Sequence, residues 1–164
     1  YTTTIPKFEN KEAELNYFSA KYKYIQTDGK VVGKHQGAHF FTKGQRKGLN
    51  VGGTKEALYV IETDVDENVI YVGEGKNHKG IYRSVLFVSN EELHWVREDL
   101  ILSSGEKMQV EARIRYRQAL EKATLYKVKN GLFVEFKNPQ SAIQEGQFVA
   151  WYKEEELLGS GVIS

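Results

Sequence analysis

The residues that most clearly suggest chemistry are three arginines in the segment RIRYRQ, residues 113–118. They stand at alternate positions: Arg113, Arg115 and Arg117. If the segment is a strand, alternate side chains share one face about 7 Å apart, close to the phosphate repeat of a nucleic acid. Ile114 and Tyr116 would then face a core. The alternative is an ordinary solvated strand face, although the next predicted strand is also basic, with Lys122 and Lys127.

A second basic stretch, HQGAHFFTKGQRKGLNVGG at residues 35–53, has three basic side chains, two histidines, five glycines and no acid. Its glycines allow a close backbone approach, and Arg46 and Lys47 supply charge for contact with phosphate. The stretch has neither the G-x-x-x-x-G-K-[ST] spacing of a phosphate-binding loop nor the G-x-G-x-x-G spacing of a dinucleotide site. From sequence alone, a surface connection between strands is the favoured interpretation.

The histidines and serines do not complete a metal or catalytic site. His35 and His39 have the i, i+4 spacing that binds zinc on a helix, but Gly37 and the neighbouring aromatics favour a strand there. His78 and His94 are expected to be structural or surface residues. The chain has no cysteine and no G-x-S-x-G motif, which excludes thiol chemistry and leaves no convincing nucleophile. We expect no metal site and no catalytic residue in this chain.

The composition is that of an ordinary globular protein of 164 residues, with 40% hydrophobic and 27% charged residues and a net charge of +1. Residues 29–55 contain six Lys/Arg and no acid, and residues 112–134 contain six Lys/Arg against Glu121 alone. Two basic stretches in a nearly neutral chain predict a localised anionic partner. The absence of cysteine fits a cytosolic protein, and no apolar run approaches the roughly 20 residues of a membrane span.

Periodicity and turn signals predict one short helix followed by many short strands. The helix covers residues 8–20, with Asn10 as its N-cap and with Leu15 and Phe18 on one face. Predicted strands cover 30–34, 38–42, 57–63, 68–73, 82–88, 107–117, 123–128, 132–136, 147–152 and 157–163. Hairpin turns are predicted at DVDEN, KNG and KEEE, and LHWV (93–96) alternates as a half-buried strand does. Such strands indicate a barrel or a sandwich, and the loop at 75–80 indicates two modules, 1–77 and 78–164.

These motifs resemble one family. Residues 33–75, which contain H-x-G-x-x-x-x-T-x-G-Q-R-K-G-L, resemble the segment after the catalytic domain of tRNA-specific 2-thiouridylases. The segments LHWV, RIRYRQ, EGQFVAWY and LLGSGVI follow in the order that this family shows. The resemblance runs from about residue 27 to the end of the chain. The older family name is tRNA (5-methylaminomethyl-2-thiouridylate)-methyltransferase, although thiolation is the chemistry that we assign.

The resemblance implies a mainly β fold, in which a small central β domain with a short N-terminal helix precedes a C-terminal antiparallel β-barrel. Family members add an N-terminal domain that binds ATP with Mg²⁺ and carries a nucleophilic cysteine. They adenylate C2 of the wobble uridine in certain tRNAs and then deliver sulfur from a cysteine persulfide, with a sulfur-relay protein as a further partner. This chain would be the central and C-terminal parts of a cytoplasmic enzyme. Its first 18 residues do not clearly match the family, whose second cysteine would fall near or before Tyr1.

The resemblance also implies which residues contact the anticodon arm of tRNA. The family's Arg-Tyr pair corresponds to Arg115 and Tyr116, and its contacting glutamine corresponds to Gln147. Phosphate contacts are expected from Arg117, Arg46 and Lys47. Strict strand alternation would put Arg115 and Tyr116 on opposite faces, so a bulge, a strand end or a backbone contact must intervene. The rival interpretation is a β-barrel that contacts protein or another domain without binding RNA, and acids facing the arginines would favour it.

Overall fold

The computed structural model describes residues 5–164, and residues 1–4 of the predicted 1–77 module lie outside that range. Helix α1 covers Lys11–Ser19. The strands are β1 (Leu58–Asp64), β2 (Val69–Glu74), β3 (Tyr82–Ser89), β4 (Leu93–Trp95), β5 (Lys107–Arg113), β6 (Glu121–Val128), β7 (Gly131–Ser141), β8 (Phe148–Lys153) and β9 (Glu156–Val162). Single-turn 3-10 helices cover Gln26–Asp28, Ala38–Phe40, Lys79–Ile81, Asn90–Glu92 and Glu98–Leu100.

Helix α1 begins at the predicted cap. The Asn10 side chain accepts a hydrogen bond from the Ala13 N–H at 2.8 Å, which satisfies one of the donors that a helix N-terminus leaves without an internal partner. Leu15 is only 1% exposed and lies in one buried cluster with residues of β3, β6 and β7: Val85, Val128 and Phe133. Burial of this one face therefore fixes the helix on the larger sheet.

The described chain forms two compact units. The seven-stranded unit comprises the described residues up to Ala20, Ser84–Pro139 and Glu145–Ser164. The two-stranded unit comprises Lys21–Arg83 and Gln140–Gln144. Helix α1, which the sequence analysis placed in the first module, thus groups with the second sheet. The division into 1–77 and 78–164 stays a prediction.

The larger sheet has the strand order β3-β7-β6-β5-β8-β9-β4 and curls into an antiparallel half-barrel. Its largest fully buried side chains include Trp151, Phe133, Leu125, Leu132 and Leu158. In the other unit β1 pairs antiparallel with β2, and Leu49, Leu58 and Val60 form the core. The predicted mainly β fold, with a short helix, a small sheet and a barrel-like sheet, is confirmed.

Two residues form the turn between β8 and β9. Lys153 pairs with Glu156, and between them Glu154 and Glu155 have φ angles of 49° and 69°. Positive φ at both central residues is the pattern of a type I′ turn, whose twist matches that of the flanking strands. The predicted polar turn at KEEE therefore exists, although glutamate is an unusual residue for these two positions.

Strand β4 confirms the predicted half-buried alternation of LHWV. Leu93 and Trp95 are half-buried and His94 is exposed. The Trp95 ring makes an edge contact with the ring of Trp151, at 5.4 Å between centroids. Trp151 is 0% exposed, and its Nε1 has no hydrogen-bond partner. Trp151, rather than Trp95, is therefore the tryptophan at the centre of this core.

Two predicted strands, 30–34 and 38–42, are wrong, because neither segment forms a strand. The second contains a 3-10 turn, which the Phe40 N–H closes with a hydrogen bond of 3.2 Å to a carbonyl three residues earlier. The Ala38 N–H donates to the Asn68 side chain at 2.8 Å. These bonds occupy backbone donors that a sheet would have used, so the aromatic pattern of this segment does not produce a strand.

Candidate nucleic-acid interface

The segment RIRYRQ is a strand end followed by a turn, not a continuous strand. Strand β5 ends at Arg113, and the Gln118 N–H donates to the Arg115 carbonyl at 3.0 Å. The Gln118 side chain accepts a hydrogen bond from the Ile114 N–H at 3.3 Å. Because these local bonds replace sheet pairing, the prediction that Arg113, Arg115 and Arg117 share one strand face is wrong.

Arg113 braces this turn. Its guanidinium donates from Nη1 to the Tyr116 carbonyl at 2.9 Å and from Nη2 to the Tyr152 hydroxyl at 3.0 Å. The guanidinium carbon also lies 5.2 Å from the Tyr116 ring centroid and 5.1 Å from the Tyr152 ring centroid, within the range of cation–π attraction. The described partners of Arg113 are thus neutral groups that hold the turn in place.

The turn presents Arg115, Tyr116 and Arg117 to solvent. All three are exposed, and Tyr116 is 86% exposed. The prediction that Tyr116 faces the core is therefore wrong, whereas Ile114 is buried, at 5% exposure, as expected. A strand end answers the question of how Arg115 and Tyr116 could reach one surface, because side chains in a turn do not alternate between two faces.

Gln147 lies at the same end of the sheet as this turn. Strands β5 and β8 are antiparallel with Arg113 opposite Ala150, so the end of β5 and the start of β8 coincide. Gln147 immediately precedes β8, and its carbonyl accepts a hydrogen bond from the Ile163 N–H at 2.8 Å. The topology therefore brings the three residues implied by the resemblance, Arg115, Tyr116 and Gln147, to one end of the half-barrel.

The residue after Gln147 was not singled out in the sequence. Phe148 is 65% exposed at the first position of β8. The sequence signal is only the alternation of strand positions, which sets Phe148 on the face opposite Val149 and Trp151 without showing which face is exposed. In the structure Val149 and Trp151 are both 0% exposed. The alternation therefore places Phe148 on the solvent side of the sheet.

In the two-stranded unit, hydrogen bonds around Gln45 hold the basic stretch in place. The Gly44 N–H donates to the Val60 carbonyl at 2.7 Å, and the Val60 N–H donates to the Gln45 carbonyl at 2.9 Å. The Gln45 side chain accepts from the Thr42 N–H at 2.9 Å and donates to the Lys47 carbonyl at 2.8 Å. These bonds hold the loop against β1 and leave the side chains of Arg46 and Lys47 on the outside.

Arg46 and Lys47 are exposed on this loop, whereas Leu49 is buried. Arg46 also lines an open groove of about 490 Å³ together with Gly52, Gly53 and Lys55. The lining combines small residues and two cations with one acid, Glu56, so an extended anionic backbone could approach the glycines closely beside Arg46 and Lys55. The structure therefore exposes both cations, Arg46 and Lys47, on a glycine-rich segment that is not a phosphate-binding loop.

Lys43 does not belong to this exposed set. Its Nζ lies 3.7 Å from the carboxylate of Glu62, and its side chain is only 16% exposed. Burial lowers the pKa of Lys43, while the charge of Glu62 opposes that shift and the charge of Arg83 adds to it. Lys43 is thus part of the interior electrostatics of the unit rather than a phosphate contact.

The histidines have structural contacts. The His35 Nδ1 accepts a hydrogen bond from the Gly37 N–H at 3.2 Å, and the His39 ring lies 4.0 Å from the Phe40 ring between centroids. The His78 Nδ1 accepts from the Gly80 N–H at 3.1 Å. Within residues 5–164, no group of three or more His, Cys, Asp or Glu side chains is placed to hold a metal ion.

None of the helices within residues 5–164 is long and apolar enough to cross a membrane.

Two family models match the chain in succession. Residues 17–74 match a tRNA methyl transferase PRC-barrel domain, and residues 87–163 match an aminomethyltransferase β-barrel domain. The first match contains the loop with Arg46 and Lys47. The second contains the turn after β5 and the start of β8.

Several bacterial relatives carry the name tRNA-specific 2-thiouridylase MnmA. The protein of Christiangramia forsetii is 62% identical over 96% of this chain and 40% of its own length. That of Flavobacterium johnsoniae is 64% identical over 93% of this chain and 39% of its own, and that of Karelsulcia muelleri is 50% identical over 96% and 40%. The chain thus spans about 40% of the length of the relatives that it matches. Two consecutive domain matches and this level of identity show that the chain belongs to the tRNA-specific 2-thiouridylase family.

Proposed function

We propose that this chain is the tRNA-binding portion of an enzyme that 2-thiolates the wobble uridine of tRNA. The observation that carries the proposal is the exposed turn with Arg115, Tyr116 and Arg117, next to Gln147 at one end of the half-barrel. The relatives of the chain are named as tRNA-specific 2-thiouridylases. A basic surface on a chain of net charge +1 also suits a polyanionic substrate. The anticodon arm is the part of tRNA that we assign to this surface.

The proposed contacts are of two physical kinds. Arg115 and Arg117 neutralise phosphates, which gives affinity and register without reading the sequence. The amide of Gln147 has both donors and an acceptor and is suited to a base or ribose edge. In the two-stranded unit Arg46 and Lys47 provide further phosphate contacts. Recognition by backbone and shape suits folded RNA, because base edges in its helices are poorly accessible.

We assign ATP use and sulfur transfer to parts of the proposed enzyme outside this chain. The chain contains no cysteine, so no persulfide can form on it. Its glycine-rich loop is hydrogen-bonded to β1 and lacks the spacing of a phosphate-binding loop, so we assign ATP binding to the part of the enzyme outside this chain. Use of ATP with Mg²⁺ and delivery of sulfur through a relay protein belong to the proposal for the whole enzyme. The cytoplasmic location stays a prediction.

The experiment measures tRNA affinity of the full-length protein against salt concentration. Arg115→Ala and Arg117→Ala should each weaken binding and reduce the slope of log K against log salt by about 0.7–0.9 per lost phosphate contact. Gln147→Ala should weaken binding with little change of slope. The matched control is Lys107→Ala, which removes an exposed cation at the opposite end of the same strand β5.

If both arginine variants keep the wild-type affinity and slope, this surface does not bind tRNA. The rival function, a β-barrel that contacts protein or another domain, would then be the better assignment.

A further inference from the structure

An exposed aromatic side chain begins strand β8, in the interior of the sheet. Phe148 is 65% exposed, although β8 lies between β5 and β9. Along β8 the alternate residues Val149 and Trp151 are both 0% exposed, so Phe148, Ala150 and Tyr152 occupy the opposite, outer face. Phe148 is therefore exposed at the start of a strand that pairs with β9 from Phe148 onward and with β5 from Ala150 onward.

The outer face of β5 next to it carries Arg113 and, through it, Tyr116. Arg113 is directly opposite Ala150 in the antiparallel pair, and residues that are opposite share a face. The hydrogen bond from Arg113 to the Tyr152 hydroxyl is made on this same face. Because the Tyr116 ring lies over the Arg113 guanidinium, Tyr116 extends this outer face as well.

Two exposed aromatic side chains thus share one end and one face of the sheet, and cations lie beside them. Phe148 is two residues, about 7 Å, from Ala150, on the side toward which the turn after β5 continues. Arg115 and Arg117 flank Tyr116 in that turn. Aromatic side chains on a positively charged surface are the combination with which proteins bind unpaired nucleotides, because every base has a π-face to stack.

We infer that Phe148, with Tyr116, forms a stacking platform for an unpaired base of the tRNA. This inference rests on the proposed function and adds a contact of a different kind to it. Phosphate contacts are common to paired and unpaired RNA, whereas a base can stack on Phe148 only where it is free of a helix. The occupant that fits is therefore a loop nucleotide, and the adjacent arginines complement the charge of its phosphates.

The test compares two RNA probes with the full-length protein: an unmodified anticodon stem–loop and a blunt RNA duplex of the same number of nucleotides. Phe148→Ala should weaken binding of the stem–loop by about five-fold or more, the lower end of the effect of removing one stacking partner. It should leave the affinity for the duplex and the salt slope unchanged. Phe148→Trp should restore stem–loop binding, because an indole also stacks. Ile101→Ala, at a residue that is 51% exposed in the same unit, is the control for loss of exposed apolar surface.

Three outcomes overturn the inference, and they separate it from the proposed function. If Phe148→Ala binds the stem–loop like wild type while Arg115→Ala binds weakly, the surface binds RNA without stacking on Phe148. If Phe148→Ala weakens both probes equally, the side chain acts through the structure of the sheet. If neither the phenylalanine nor the arginine variants affect binding, the proposed function fails too, and the rival function, contact with protein or another domain, becomes the better assignment.

Discussion

At the scale of single residues, Arg113 makes two hydrogen bonds that depend on the shape of the arginine side chain. Its planar guanidinium donates at the same time to the Tyr116 carbonyl and the Tyr152 hydroxyl, and both rings lie against it. Lysine has a compact ammonium on a flexible stem and cannot maintain this fork. In the proposed tRNA interface we therefore assign Arg113 as a positioning residue, which contributes by holding Tyr116 in place.

Arg113→Lys should show this indirect role. The variant keeps the positive charge but cannot donate to both the Tyr116 carbonyl and the Tyr152 hydroxyl in a fixed geometry. Affinity for tRNA should therefore fall by roughly five-fold, about 1 kcal/mol. The salt slope should stay at the wild-type value, because no phosphate contact is lost. A salt titration of tRNA binding measures both quantities. Direct contact is tested by Arg113→Gln, which removes the charge: an unchanged slope supports the positioning role, and a reduced slope would mean that Arg113 itself contacts phosphate.

The two tryptophans should differ in their contributions to stability. Trp151 is 0% exposed, so Trp151→Ala should lower the free energy of unfolding by about 3–5 kcal/mol, the range for a large buried side chain. Trp95 is half-buried and packs on Trp151 by its edge, so Trp95→Ala should cost clearly less. Denaturant unfolding of both variants measures the difference. Equal losses would contradict the burial of Trp151 at the centre of the core.

At the scale of elements, several predictions that rest on residues close together in the sequence are confirmed. The cap at Asn10, the hairpin from β6 to β7 and the half-buried β4 all form where they were predicted. Residues 113–118 were misassigned because side chains decide their structure. Gln118 bonds to the Ile114 N–H, and Arg113 reaches Tyr152 on β8, a strand 35 or more residues further along the chain. Alternation of residue types contains no information on such bonds.

The same limit applies to the candidate site. The resemblance identified Arg115, Tyr116 and Gln147, but only the register of β5 with β8 brings the turn and Gln147 to one end of the sheet. Phe148 was read as one more strand residue. Its exposure depends on which face of the sheet is closed by the core, and a single sequence does not specify that face.

The β8–β9 turn offers a test of element stability. Glu155 has a φ of 69°, a left-handed conformation that costs a non-glycine residue about 1–2 kcal/mol. Glycine removes this cost but loses more chain entropy on folding, roughly 0.5–1 kcal/mol. Glu155→Gly should therefore raise the free energy of unfolding by up to about 1 kcal/mol. The control is Glu91→Gly, at an exposed 3-10 position without positive φ, which should lower stability in the same denaturant experiment.

At the scale of the whole molecule, the two basic segments belong to different units. The loop with Arg46 and Lys47 lies in the two-stranded unit, and the turn with Arg115 and Arg117 lies in the seven-stranded unit. These segments lie in the two stretches, 29–55 and 112–134, that hold 12 of the 23 Lys/Arg residues and only one acid, Glu121, in a chain of net charge +1. Under the proposed function, each unit therefore supplies phosphate contacts of its own.

This division of labour predicts that the 164-residue chain has no activity of its own. Persulfide transfer needs a thiol, and the chain has no cysteine. The chain incubated with tRNA, ATP, Mg²⁺ and a sulfur donor should therefore form no 2-thiouridine and consume no ATP, whereas the full-length protein should do both. Thiouridine is measured by nucleoside analysis of the digested tRNA. Measurable thiolation by the 164-residue chain would show that some of its own residues transfer sulfur, and the assignment of this chain to tRNA binding alone would be wrong.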